Sequence, residues 1–382
     1  MTRFLARIAL AALVLAAPVP HSAAMEATTR PIVLGYYPGW PTGVEPSQVD
    51  LRPFTHIAHA FVTVDTSGTL VTHGNVPSRE LTSRARAAGV RTLLSLGGMD
   101  SAATIAPVAA DEARCRALAR ELVALAQEHG YDGLDLDWEF PLNEGDMEAF
   151  TRLCRMAREE MNARGMTDGI LASAQGGSRW TSRFVDGPAL LPLLDFICVM
   201  TYDAHGHWND HSGHNAPLHH ADRDRPECAQ NTVEGMMEHW TTNKGWPRER
   251  LVVGIPCYGR GFPVAAMHDD KTTGSKGRHE YLPYHRVPAM LEEGWRVERD
   301  AQAGVPVLVR DGVREVVSIE DETSARGKGA WARKHEFAGV FFWEITQDVV
   351  DGRNRLVGAA RDGWFGAPAD DDAPTMPPAP AD

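Results

Sequence analysis

Eight apolar runs with strand character punctuate this chain, and helical patterns separate several of them. The runs are "PIVLGYY" (31–37), "THIAHAFVTV" (55–64), "RTLLSLGG" (91–98), "DGLDLDWEF" (132–140), "GILASAQGG" (169–177), "DFICVMTYD" (195–203), "LVVGIPCYGR" (251–260) and "AGVFFWEIT" (338–346). Between them, Leu118, Leu122 and Leu125 share one helical face with a stop at Gly130. Met147, Phe150, Cys154, Ala157 and Met161 do the same, ending at Gly165. Near-continuous apolar strands suit a parallel sheet covered on both faces. Eight of them alternating with helices predict an α/β fold, a (β/α)8 TIM barrel. About 75 residues separate the seventh and eighth runs, far more than an ordinary βα link. Within that span, "VPVLVRDGVREVV" reads as two short strands joined at Asp311-Gly312. A small α+β insertion over 263–319 is therefore expected, with the barrel over 25–262 and 320–366. The helix before the last strand is expected to resume within Asp321–Phe337.

The fourth run carries acids among leucines. Strand side chains alternate, so Asp135, Asp137 and Glu139 share one face, and Leu134, Leu136 and Trp138 take the other. Successive acids on that face are roughly 6.5–7 Å apart along the strand. In a barrel the acidic row points inward and climbs toward the C-terminal rim, where active sites are built. The apolar set faces the helices. Crowded, desolvated carboxylates do not all ionise cheaply, so at least one proton is expected to persist near neutral pH. A carboxyl held protonated beside an ionised neighbour is what general acid catalysis requires. A merely solvated acidic edge does not account for apolar residues at every intervening position.

Residues 1–24 combine a basic start at Arg3 and Arg7, an apolar middle and the small residues Ser22-Ala23-Ala24. That is the pattern of a secretory signal peptide, and its apolar run is too short to span a bilayer. The mature protein is expected to be secreted, in the medium or periplasm, soluble and off the membrane. Loss of two arginines takes the formal charge from −13 to −15. Such an acidic chain is a poor partner for nucleic acid and suits a neutral polysaccharide better. Cys115 and Cys154 fall on neighbouring helical segments, and buried free thiols are preferred to a bridge. Cys228 is assigned to a loop, and Cys198 and Cys257 to strand packing. The tail 367–382, "APADDDAPTMPPAPAD" from Ala367 onward, lacks the apolar content to pack.

The fourth run, "DGLDLDWE", resembles the D-x-x-D-x-D-x-E signature of family 18 glycoside hydrolases, the chitinase family. "SLGG" (95–98), "MTYDAHGHWNDHSGHNAPL" (200–218), "GIPCYGRGF" (254–262) and "GVFFWEITQD" (339–348) resemble that family's third-, sixth-, seventh- and eighth-strand segments, in family order. The resemblance implies a secreted chitinase that hydrolyses β-1,4-linked N-acetylglucosamine polymers with retention. By resemblance Glu139 is the general acid/base, and the substrate's own N-acetyl oxygen is the nucleophile, giving an oxazolinium ion. Asp137 would orient the acetamide, Asp135 would share a proton with Asp137, and Tyr36 and Ser95 would contact Asp135 from below. Tyr202 would donate to the acetamide oxygen and Asp203 would bind the sugar. Trp343 would floor the −1 subsite, Met200, Tyr258 and Arg260 would line the cleft, and Trp208 would stack a sugar on the leaving-group side. Phe61 and Gly98 belong to the same substrate-binding set, while Asp132 only supports its strand. Non-proline cis peptides are implied at Ala60-Phe61, Glu139-Phe140 and Trp343-Glu344. Met99 stands where the family often has tryptophan, which implies a missing stacking platform on the non-reducing side.

No cofactor is expected, and a monomer acting on chitin or its oligosaccharides is the expected working form. The segment 205–220 holds six histidines but no H-E-x-x-H or similar spacing, so no metal is expected and activity should be insensitive to chelators. Within hydrolases the alternative is an endo-β-N-acetylglucosaminidase acting on N-glycans or wall glycans. A non-catalytic chitin-binding lectin on the same barrel is the weaker alternative, since Glu139 is present.

Overall fold

The structure, a computed structural model, describes residues 31–366. The expected signal segment 1–24 and the tail from residue 367 lie outside the described residues.

All eight apolar runs form parallel strands: β1 (Ile32–Pro38), β2 (His56–Val64), β3 (Arg91–Gly98), β4 (Gly133–Trp138), β5 (Ile170–Gly176), β6 (Phe196–Met200), β7 (Leu251–Pro256) and β8 (Gly339–Trp343). Each pairs with its neighbour in sequence, and β8 pairs back onto β1 through Ile32↔Gly339, closing the ring. This is the (β/α)8 barrel the alternation predicts.

The covering helices form where the sequence supplies both a face and its ends. Helix Glu112–His129 starts at Asp111, whose carboxylate accepts from the Arg114 amide at 2.9 Å. It stops at Gly130, whose φ of 77° lies in the left-handed region that glycine occupies freely. Helix Glu144–Ala163 starts at Asn143 and buries Met147, Phe150, Cys154, Ala157 and Met161. Both pack on the outward face of β4, where Leu134, Leu136 and Trp138 are buried in one cluster with Leu118, Leu122 and Phe150. The Trp138 and Phe150 rings meet edge to face at 5.7 Å. Cys115 and Cys154 are buried free thiols.

The seventh run does not stay one strand. Pro256 has no N–H to donate, the Cys257 amide makes the last rung to the Trp343 carbonyl at 2.7 Å, and the chain then leaves the barrel. Tyr258–Phe262 joins a second, five-stranded antiparallel sheet with Leu282–Pro283, Val316–Ser318, Val305–Val309 and Arg296–Asp300. That sheet starts before residue 263, where the sequence pattern put its boundary. The Asp311-Gly312 turn joins Val305–Val309 to Val316–Ser318, with Gly312 at a φ of 75°. Helix Glu322–Lys334 then returns the chain to β8. Cys228, assigned to a loop, lies in a short 3-10 turn, Pro226–Asn231.

Candidate active site

The acids of β4 separate by depth. Asp135 pairs in register with Ser95 on β3, and the Ser95 hydroxyl donates to its carboxylate at 2.6 Å. The Tyr36 hydroxyl, from β1, donates to the same oxygen at 2.9 Å. Asp137 lies one rung higher and is also buried, and each of the two carboxylates has one oxygen with no hydrogen-bond partner among the described residues. Glu139 follows the end of the strand and is partly exposed at the barrel mouth. Its amide donates to the Ser101 hydroxyl at 3.2 Å, and that hydroxyl donates to the Asp137 carbonyl at 3.2 Å. Asp132, at the bottom of the strand, accepts from the Thr92 amide and faces Arg91, away from the acid row.

Burial sets the protonation of this row. Desolvation raises the Asp135 carboxyl to about 6, against the hydrogen bonds from Ser95 and Tyr36, which favour its charged form. Asp137 is pushed well above the ordinary carboxylate range, first by burial and then by Glu139 and Asp135. Glu139 rises to about 7 through burial and then through Asp203 and Asp100. A partly exposed carboxyl that keeps its proton near neutrality can deliver it to a bound oxygen. The protonated Asp137 beneath it can hydrogen-bond but is a poor nucleophile.

Aromatic side chains from several strand ends surround the row. Trp343, at the end of β8, meets Tyr36 at 5.5 Å, stacks on Phe61 at 5.6 Å and faces Trp40 at 6.2 Å between centroids. Phe61 follows the cis bond after Ala60 and an irregularity in the β2–β3 register between His59 and Val62. A Cβ on Gly98 would come within 2.5 Å of the Phe61 ring, so only glycine lets that ring lie over β3. Glu139-Phe140 and Trp343-Glu344 are cis as well. Tyr202 and Tyr258 are buried beside Phe341, with Met200 packed against the same cluster.

Asp203 sits at a φ of 58°, a left-handed conformation that Asp tolerates better than most residues. One of its oxygens accepts from the Tyr258 hydroxyl at 2.7 Å and from Arg260 at 2.6 and 2.9 Å. The Trp208 indole lies 5.3 Å from the Arg260 guanidinium and folds over Gly206, where a Cβ would come within 2.3 Å of the ring. Tyr258 and Arg260 thus reach the mouth from the second sheet and not from a barrel strand. Met99 is 80% exposed.

Several residues at the site had no sequence signal of their own. Asp100 and Ser101 sit in the turn after β3, and Asn215 donates to the Tyr258 carbonyl at 3.0 Å while accepting from the Asp203 amide at 3.0 Å. Trp40, just past β1, and Tyr281, stacked on Tyr258 at 4.5 Å, extend the aromatic wall. Of these only Trp40 could have been picked out, as an aromatic just beyond the end of an apolar run.

A model of the family described as Glycosyl hydrolases family 18 matches residues 32–348. A Caenorhabditis elegans protein named probable endochitinase is 29% identical over 274 residues, 68% of this chain and 44% of that one. Mouse chitotriosidase-1 is 28% identical over 326 residues, 80% of this chain and 70% of that one. The second catalytic domain of the group II chitinase of Ostrinia furnacalis superposes with a TM-score of 0.79 at 27% identity, over 89% of this chain and 97% of that one. A mutant of that domain has been solved in complex with penta-N-acetylchitooctaose. The chain spans less than half the length of the first curated relatives it matches.

Proposed function

Since the chain belongs to family 18 of the glycosyl hydrolases, we propose that it is an exported chitinase, cleaving β-1,4-linked N-acetylglucosamine polymers with retention. The observation that carries this reading is the inward row Asp135, Asp137 and Glu139, in which only the topmost carboxyl reaches solvent and keeps its proton to about pH 7. In the proposed reaction Glu139 gives that proton to the glycosidic oxygen. The substrate's acetamide oxygen attacks the anomeric carbon as the C–O bond breaks, forming an oxazolinium ion. Water then opens the ion, and the Glu139 carboxylate takes its proton back.

This route needs no carboxylate nucleophile, and the acid row supports it. Asp137 is buried and inclined to stay protonated, and Asp135 is buried a rung deeper with its carboxylate held by Ser95 and Tyr36, so neither suits direct attack. An Asp137 proton would instead hydrogen-bond the acetamide or Glu139, with Tyr202 as a second donor to the acetamide oxygen. Trp343, Phe61 and Tyr36 would hold the apolar face of the sugar. Asp203 would bind the sugar, Tyr258, Arg260 and Met200 would line the cleft, Trp208 would stack a sugar on the leaving-group side, and Ser95 and Gly98 would support the floor. Export rests on residues 1–24, and the N-terminus of the secreted protein should begin close after Ala24.

Incubation with chitin oligomers and, separately, with a high-mannose glycoprotein tests the substrate class. Release of N-acetylglucosamine oligomers with the β-anomer formed first is the expected outcome. Cleavage of the glycoprotein alone would identify an endo-β-N-acetylglucosaminidase, and binding without cleavage a lectin.

A further inference from the structure

The long segment after β6 folds back on itself and gathers four buried side chains: His205, His211, Asp224 and Cys228. One donor atom from each lies within 4.8 Å of the others. His205 Nε2 is 3.7 Å from Asp224, His211 Nε2 is 3.7 Å from Asp224, and His211 Nε2 is 3.4 Å from the Cys228 sulfur. The two imidazole–carboxylate separations are too long for hydrogen bonds. They match the edges of a zinc tetrahedron, about 3.3–3.7 Å for ligands bound at about 2.0–2.3 Å. His205 Nε2 is buried with no hydrogen-bond partner among the described residues.

The far sides of both imidazoles are fixed. His205 Nδ1 lies 3.0 Å from the His214 carbonyl, which can only accept, so the proton is on Nδ1 and the Nε2 lone pair faces the cluster. His211 Nδ1 lies 3.1 Å from the Asp210 carboxylate, itself paired with Arg225 at 2.8 Å, with the same consequence for its Nε2. An imidazole held from behind by a carbonyl or carboxylate is how metal-ligating histidines are oriented. Asp224 accepts from the Arg225 amide at 2.8 Å. Gly213 makes room for the His205 ring, since a Cβ there would come within 2.4 Å of it. The ligands run H-x5-H and then D-x3-C, short spacings of the kind zinc loops use.

We propose that His205, His211, Asp224 and Cys228 form a closed, four-coordinate structural site for a divalent zinc ion. Two neutral imidazoles, one carboxylate and one thiolate around Zn²⁺ give a site of zero net charge, which suits a buried ion. Binding releases one proton, from the Cys228 thiol. All four positions are filled by protein, so the ion stabilises and does not carry out chemistry. What it fixes is the segment holding Asp203 and Trp208, because His205 follows Asp203 by two residues and Trp208 lies between the two histidine ligands. A zinc ion here would run against the expectation of a metal-free loop, since these ligands converge only through the path of the fold.

The test is metal analysis of the whole secreted chain purified without added metal, and again after equilibration with zinc and desalting. About one zinc per chain is expected. His205→Ala and Cys228→Ser should each weaken retention by more than about tenfold, while His219→Ala, outside the cluster, should not. Should the variants fold poorly, cobalt substitution of the unaltered chain gives a second readout. Tetrahedral Co²⁺ should show intense visible bands and a thiolate charge-transfer band, and dipicolinate should remove the metal and lower the melting temperature. Two results would overturn the proposal. One is an unaltered chain that retains neither zinc nor cobalt after equilibration, and the other is retention that survives both ligand substitutions in folded protein.

Discussion

Arg260 donates two hydrogen bonds to a single oxygen of Asp203, at 2.6 and 2.9 Å. The arginine comes from the second sheet and the aspartate from the segment after β6, so this pair clamps the insertion to the barrel mouth. Arg260→Ala is expected to lower kcat/KM by about tenfold to a hundredfold, and Arg260→Lys by less, since a lysine keeps the charge but not the fork. Steady-state kinetics on a chitin oligomer measure this. Parental kinetics in Arg260→Ala would show the clamp to be dispensable.

Glu139→Gln keeps the shape and removes the proton. Turnover should fall by about three orders of magnitude while oligosaccharide binding and the far-ultraviolet spectrum stay close to the parent. Asp137→Asn should also cripple the enzyme, and Asp132→Asn much less, because Asp132 faces Thr92 and Arg91 at the opposite end of the strand. Equal losses at 132 and 137 would contradict the division of β4 into a supporting end and a reacting end.

The pH profile has a predicted direction. Glu139 holds its proton to about 7 in the folded chain, against an ordinary 4.5. kcat/KM should therefore decline on the alkaline side from about pH 7 as the donor ionises. Burial is the largest cause of the shift and Asp203 the next, so Asp203→Asn should move that limb to lower pH. The stability sign follows from the same shift. Because the folded value is the higher one, the group supports folding most below pH 4.5, and that support is lost as pH rises through 7. Asp137 is displaced in the same direction, so Asp137→Asn should gain in melting temperature relative to the parent as pH increases. A widening deficit instead would reverse the sign assigned here.

Lys328 is fully buried on the helix before β8 and donates to Glu320 and to the Ala216 carbonyl, the latter at 2.6 Å. Lys328→Met leaves Glu320 buried without its counter-ion, with only the Ser324 hydroxyl still donating to it, and should destabilise the protein by about 3–5 kcal/mol. Adding Glu320→Gln should recover part of that loss. Urea unfolding of the two variants provides the comparison, and additive losses would mean the two side chains do not act as a pair.

The strand pattern made the barrel legible because a sheet covered on both faces needs continuous apolar runs, and β4 announced its inward face by alternation. Asp135, Asp137 and Glu139 follow from that single strand. Tyr258 and Arg260 were read as the end of a barrel strand. Their apolar and glycine content does not reveal that the chain turns at Cys257 into another sheet. Asn215, Ser101 and Asp100 act through the path of loops, which periodicity does not encode. The cluster around Asp224 was hidden for a related reason: the histidines were visible as composition, but their partners Asp224 and Cys228 lie outside the histidine-rich stretch.

The second sheet begins only two residues beyond β7, and its first strand carries Tyr258 and Arg260. The lobe is therefore no detachable cassette. A chimera that exchanged residues 263–319 with a relative's would splice a foreign neighbour onto a native strand and leave the Asp203 clamp to chance. A graft that starts at Cys257 and carries Tyr258 and Arg260 with it would keep ladder and clamp together.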